Sequence, residues 1–119
     1  FPYTTLFRSI VDGPGNDLVA ITALAAAGAQ LILFTTGRGN PLGSPVPTLK
    51  IASNSNLANK KPHWIDFDAG PALAGQAALQ TLCQALLKLV CQTASGQYRA
   101  RNETEGYRSI AIFKNGVTL

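Results

Sequence analysis

The apolar positions fall into blocks whose spacing changes along the chain. Ile10-Val11 reads as the end of a strand, and Asp12-Gly13-Pro14-Gly15-Asn16-Asp17 as a tight loop in which Asn16 or Asp17 can cap a following helix. Leu18 to Ala27 is Ala-rich and apolar all round, the pattern of a buried helix that Gly28 ends. Ala29 to Thr36 is a continuous β-favouring run, suited to a central strand of a parallel sheet covered on both faces. These three blocks predict a βαβ unit.

Gly37-Arg38-Gly39-Asn40 is followed by a Pro/Gly/Ser stretch through Pro47, and Thr48 to Ala52 predicts a second strand. The polar segment Ser53 to Lys61 predicts a loop with a short helix around Leu57-Ala58. Trp64-Ile65-Asp66-Phe67-Asp68 alternates like a strand nearer an edge. Gly70-Pro71 opens the longest predicted helix, with Leu79, Leu82, Leu86 and Leu89 as its apolar stripe and Ser95-Gly96 as its end. The tail closes on a strand-like Ile110 to Phe113 and an Asn115-Gly116 turn. This alternation predicts a three-layer α/β domain with a mostly parallel, Rossmann-like sheet.

The 119 residues suit one domain, and 46% hydrophobic against 13% charged residues excludes a disordered tail. So few charges also suggest surfaces that other domains cover. The net charge of +4 is spread over scattered Lys and Arg, which argues against nucleic acid and agrees weakly with small anionic ligands. No apolar run approaches the roughly 20 residues of a membrane span, and no signal peptide is recognisable. Cys83 and Cys91 lie roughly 12 Å apart along one predicted helix, too far to pair, which fits a reducing cytoplasm.

Residues 1–9, FPYTTLFRS, read as the translation of a sequencing-adapter end, with an ordinary β-like segment as the alternative. The native domain then spans residues 10–119, truncated upstream. Without Arg8, nine basic residues face six acidic ones, a net +3.

Ligands of open parallel sheets collect beyond the carboxyl ends of the strands. Thr35-Thr36-Gly37-Arg38-Gly39-Asn40 occupies such a place. Its glycines allow close backbone approach, and Arg38 can grip a carboxylate with two parallel hydrogen bonds or make a structural salt bridge. Thr35 and Thr36 offer hydroxyls. Asp12 and Asp17 read as helix caps, with metal ligand or base as the alternative. Lys50 can polarise a substrate carboxylate or be a solvated edge residue. His63 reads as a surface or packing residue. Asp66 and Asp68 read as solvent-facing strand carboxylates, with cation binding as the alternative. No metal-ligand cluster, nucleophile triad, Walker loop or dinucleotide fingerprint is present. The residues alone support an α/β domain with an anion-friendly loop.

DGPGND (12–17), FTTGRG (34–39), GSPVPTLKI (43–51), Asn54, DFDAG (66–70), and the ending from Gly106-Tyr107-Arg108 to Gly116-Val117-Thr118-Leu119 arrive in a characteristic order. Together they resemble the C-terminal part of the altronate/galactarate dehydratase family, and the ending resembles the altronate branch more. The resemblance implies a hydro-lyase that dehydrates a sugar acid, altronate or galactarate, to a 2-keto-3-deoxy product. It implies a divalent metal, iron or manganese, with ligands expected in upstream domains of the same polypeptide. Thr35, Thr36, Arg38, Lys50 and Asn54 would contact substrate. The chain alone is expected to be an inactive fragment, and homo-oligomerisation is left open. Alternatives are a sulfolactate sulfo-lyase subunit and a noncatalytic anion-binding α/β domain.

Overall fold

The computed structural model describes Gly13 and residues 15–112. The predicted strand at Ile10-Val11, the Asp12 cap, residues 1–9 and the Asn115-Gly116 turn lie outside them. Helix α1 is Asp17–Ala26. Its N-cap is Asn16, whose Oδ1 accepts from the backbone N–H of Leu18 at 3.1 Å and Val19 at 3.3 Å. This satisfies two of the donors that every helix start leaves open. The expected burial all round is corrected: only Ile21 is buried, and Leu24 is exposed.

Strands β1 (Ile32–Thr36), β2 (Thr48–Ala52) and β3 (Phe67–Asp68) form a parallel sheet in the order β1-β2-β3. The chain therefore has a mixed α/β fold on a small parallel sheet. The central position belongs to β2, all five of whose residues are buried. Among the described residues β1 pairs only with β2, its Leu33 is 48% exposed, and the strand predicted at Ile10-Val11 lies outside them. An apolar run signals burial, whereas hydrogen-bonded neighbours decide centre from edge. Register brings Thr36 opposite Ala52 and Ala52 opposite Asp68, so the three carboxyl ends share one rim.

Helix α2 (Ser55–Lys60) follows β2 and is capped by Asn54, which accepts from the Leu57 N–H at 2.9 Å. Its Leu57 packs with Ala52 and Ile65 in the core. The expected strand Trp64 to Asp68 contracts to two residues, because Asp66 spends its side chain on the backbone of β2 and of the chain near Arg101.

The long helix also starts later than expected. Gly70–Ala74 forms a 3-10 turn with Pro71 in its first positions, and Gly75 at φ 125 and ψ 178 breaks the chain before α3 (Gln76–Ala94). That backbone conformation lies far from helical angles, so the two segments do not join into one helix. On α3, Leu79, Cys83, Leu87 and Cys91 are exposed, and both thiols are free. A short helix α4 (Arg101–Thr104) then lies beside β2. The tail at Ile110–Ile112 is irregular rather than a strand.

Candidate functional site at the carboxyl rim of the sheet

The loop after β1 is held from beneath by side chains. Thr36 Oγ1 accepts from the Gly39 N–H at 3.0 Å. The carbonyl of Gly37 accepts from Asn54 Nδ2 at 3.1 Å, that of Arg38 from Lys61 Nζ at 3.1 Å, and that of Asn40 from Lys50 Nζ at 2.6 Å. Three donors from three places in the sequence thus fix the backbone of a five-residue turn.

Gly39 makes this clamping possible. It sits at φ +79, and a Cβ there would lie 2.8 Å from Leu57 Cδ1, 3.2 Å from Lys61 Cδ and 3.4 Å from Trp64 Cε3. The positive φ disfavours any side chain, and a Cβ would displace the Leu57 methyl and crowd the Lys61 stem. The backbone consequently rests on the Lys61 stem and the Trp64 ring, and the exposed Arg38 is carried at the rim. Among the described residues the Arg38 guanidinium has no ion pair or hydrogen bond, so the structural salt bridge is not found there.

The other expected contact residues divide into two groups. Thr35 is exposed at the end of β1. Thr36 and Asn54 are partly buried, and each already spends a side-chain oxygen on a loop or helix N–H. Lys50 is 0% exposed, so its reading as a solvated edge residue is corrected: it stands in the central strand. Its ammonium lies 5.3 Å from the Tyr107 ring centroid and donates to Asn40. Burial lowers its pKa from 10.5 to about 8, and the nearby Asp66 carboxylate opposes that shift. Lys50 holds the loop from inside and presents little to a ligand.

Asp66 likewise departs from its expected solvent-facing role. Oδ2 accepts from the Lys50 N–H at 2.8 Å, and Oδ1 accepts from Tyr98 Oη at 2.8 Å and the Arg101 N–H at 2.8 Å. Tyr98 is pushed up to about 12, first by burial and then by this bond. Asp68 accepts from the Gly70 N–H at 2.9 Å and so turns the chain after β3. His63 is exposed, and Asp17 lies in the first turn of α1. Among the described residues no three His, Cys, Asp or Glu side chains converge, so they do not fit a metal ion.

Sequence reasoning passed over Lys61, Trp64 and Asn102. A usable signal was available for the first: residues 18–65 carry Arg38, Lys50, Lys60 and Lys61 but no acidic residue.

The rim thus carries an arginine without a side-chain partner among the described residues, on a pinned glycine turn. Residues 6–118 match the family model described as D-galactarate/Altronate dehydratase, C-terminal. The chain belongs to this family. It is 50% identical to the altronate dehydratase of Escherichia coli K12 over 93% of its own length and 22% of the relative's. It is 46% identical to the altronate dehydratase of Bacillus subtilis 168, again over 93% of the chain and 22% of the relative. Identity to the galactarate dehydratase (L-threo-forming) of Escherichia coli K12 is 31%, over 84% of the chain and 20% of that protein. The chain therefore spans about a fifth of the length of these relatives. The family match begins at residue 6, inside the segment read as adapter-encoded. Among the described residues, no helix is long and apolar enough to cross a membrane.

Proposed function

We propose that this chain supplies the carboxylate-gripping rim of a sugar-acid hydro-lyase, with altronate as the preferred substrate. The observation that carries the reading is Arg38, exposed and unpaired among the described residues on a turn whose carbonyls are tied down. Family membership supplies the reaction class, and the higher identity to altronate dehydratases supplies the preference.

In such a reaction the proton beside the carboxylate is removed, the neighbouring hydroxyl leaves as water, and the resulting enol becomes a 2-keto-3-deoxy acid. Negative charge grows on the carboxylate as the proton departs, so a cation already in place lowers the barrier. Arg38 meets that demand with two parallel hydrogen bonds to the carboxylate. The Thr35 hydroxyl takes a substrate hydroxyl, with Thr36 and Asn54 setting the loop's position and Lys50 locking it from the core. Longer members of the family are expected to hold a divalent iron or manganese ion. The residues described in this chain offer it no ligand set, and no step is assigned to it. The remaining machinery belongs to further domains of a longer polypeptide, which would also cover the exposed Leu79 and Leu87 of α3.

The test is Arg38→Ala in a polypeptide of the relatives' length carrying this segment. Losing a charge-assisted bidentate contact is expected to lower kcat/KM for altronate roughly 100-fold. Unchanged turnover would end the assignment. Dehydration of altronate by the 119-residue chain alone would overturn the proposed dependence on further domains.

A further inference from the structure

Lys61 caps the end of α2, its N–H donating to the Leu57 carbonyl at 2.9 Å. A lysine at such a place ordinarily sweeps through water. Here the side chain is trapped: its stem lies under Gly39, its Nζ donates to the Arg38 carbonyl at 3.1 Å, and the ammonium stands 4.4 Å from the Trp64 ring centroid. The Trp64 backbone N–H donates to the Lys61 carbonyl at 3.0 Å, which keeps the two residues on one short turn. An ammonium has three donors. One goes to Arg38, the ring face takes a second direction, and a third with the full charge is left.

Among the described residues Lys61 forms no ion pair, and residues 18–65 contain no Asp or Glu. The turn thus carries the exposed Arg38 side chain, and the Lys61 ammonium is bound to the Arg38 backbone carbonyl at 3.1 Å. An anionic ligand at this turn would be attracted by both positive charges.

We propose that Lys61 and Arg38 form a two-cation site for carboxylate-bearing ligands, with Lys61 as a second substrate anchor. The sugar-acid identity of the ligand rests on the function proposed above; the pairing of the two cations does not. Arg38 supplies directional bidentate contacts, and Lys61 supplies a point charge whose position Trp64 sets.

The chain itself provides the assay, because Trp64 is its single tryptophan. Altronate, galactarate and inorganic sulfate are titrated into the 119-residue chain while the Trp64 indole N–H and the Arg38 and Gly39 amides are followed by NMR. Saturable shifts at all three positions are expected with altronate. Lys61→Met is expected to weaken binding about tenfold, the loss of one close charge contact. Lys61→Gln keeps a donor for the Arg38 carbonyl without the charge, and the same weakening is expected; wild-type affinity in Lys61→Gln would show a merely structural role and overturn the proposal. Thermal unfolding of each variant checks that the fold persists, and Lys61→Arg is expected to restore binding if Met disturbs the turn. No saturable shift with any of the three anions would also overturn it. Saturable shifts with sulfate but none with either sugar acid would leave the two-cation site standing and remove the sugar-acid reading.

Discussion

Asn102 accepts the backbone N–H of Thr48 at 2.9 Å, so the first rung of β2 is completed by a residue 54 positions later in the chain. Its Nδ2 faces the carbonyls of Ser44 and Val46 at 3.3 Å and of Tyr107 at 3.4 Å. The side chain is wholly buried. Removing it strands a buried donor and several acceptors, each costly without water. Asn102→Ala is expected to lose about 2–4 kcal/mol of stability in urea unfolding. A loss below about 0.5 kcal/mol, the range of an ordinary surface change, would contradict this account.

Lys50 ties stability to alkaline pH. With its pKa at about 8 when folded and 10.5 when free, the unfolded chain binds more protons between those values. Stability from this group therefore rises as pH climbs from about 8 to 10.5 and is lost as pH falls back through the folded value. Lys50→Met is expected to flatten that slope in unfolding midpoints measured across the window. An unchanged slope would assign it to another group.

At Gly39 the constraint is both conformational and steric. Gly39→Ala is expected to cost about 2–4 kcal/mol, combining a positive-φ penalty with overpacking against Leu57. It should also part Lys61 from Trp64, which changes tryptophan emission before any unfolding. Wild-type emission and stability together would show that the turn accommodates a methyl group.

Asp66 holds three donors with two oxygens, and an amide cannot replace it. In Asp66→Asn the Tyr98 pKa is expected to fall from about 12 yet stay above the ordinary 10.0, because burial is the larger cause. Lys50, no longer opposed by the carboxylate, is expected to move further below about 8. Tyrosinate absorbance and lysine NMR titration read the two shifts. A Tyr98 value unchanged by the substitution would mean burial alone sets it.

Much of the scaffold was legible along the chain. Asn16 announced a helix start because a side-chain oxygen two or three residues ahead of an open N–H is local chemistry, whereas the Asn54 cap of α2 came only from the structure. The runs at Ile32 to Thr36 and Thr48 to Ala52 announced strands for the same reason. Arg38 stood out because glycines flank it. The break at Gly75 was less visible, since Pro71 is equally at home in the first turn of a continuous helix.

Long-range partnerships were not legible. Nothing near Lys50 reveals that it belongs to the middle strand or that Asn40 and Tyr107 receive its ammonium. The roles of Asp66 and Asn102 likewise arise from segments that folding brings together across 16 to 54 residues. Sequence by itself determined the main helices, the first two strands, the glycine-flanked arginine and the family. The tertiary structure decided which strand is central, which charged side chains are structural and which are exposed at the rim. The physical reason is that propensity and capping act within a turn or two, while burial and hydrogen-bond satisfaction depend on neighbours that only the folded chain supplies.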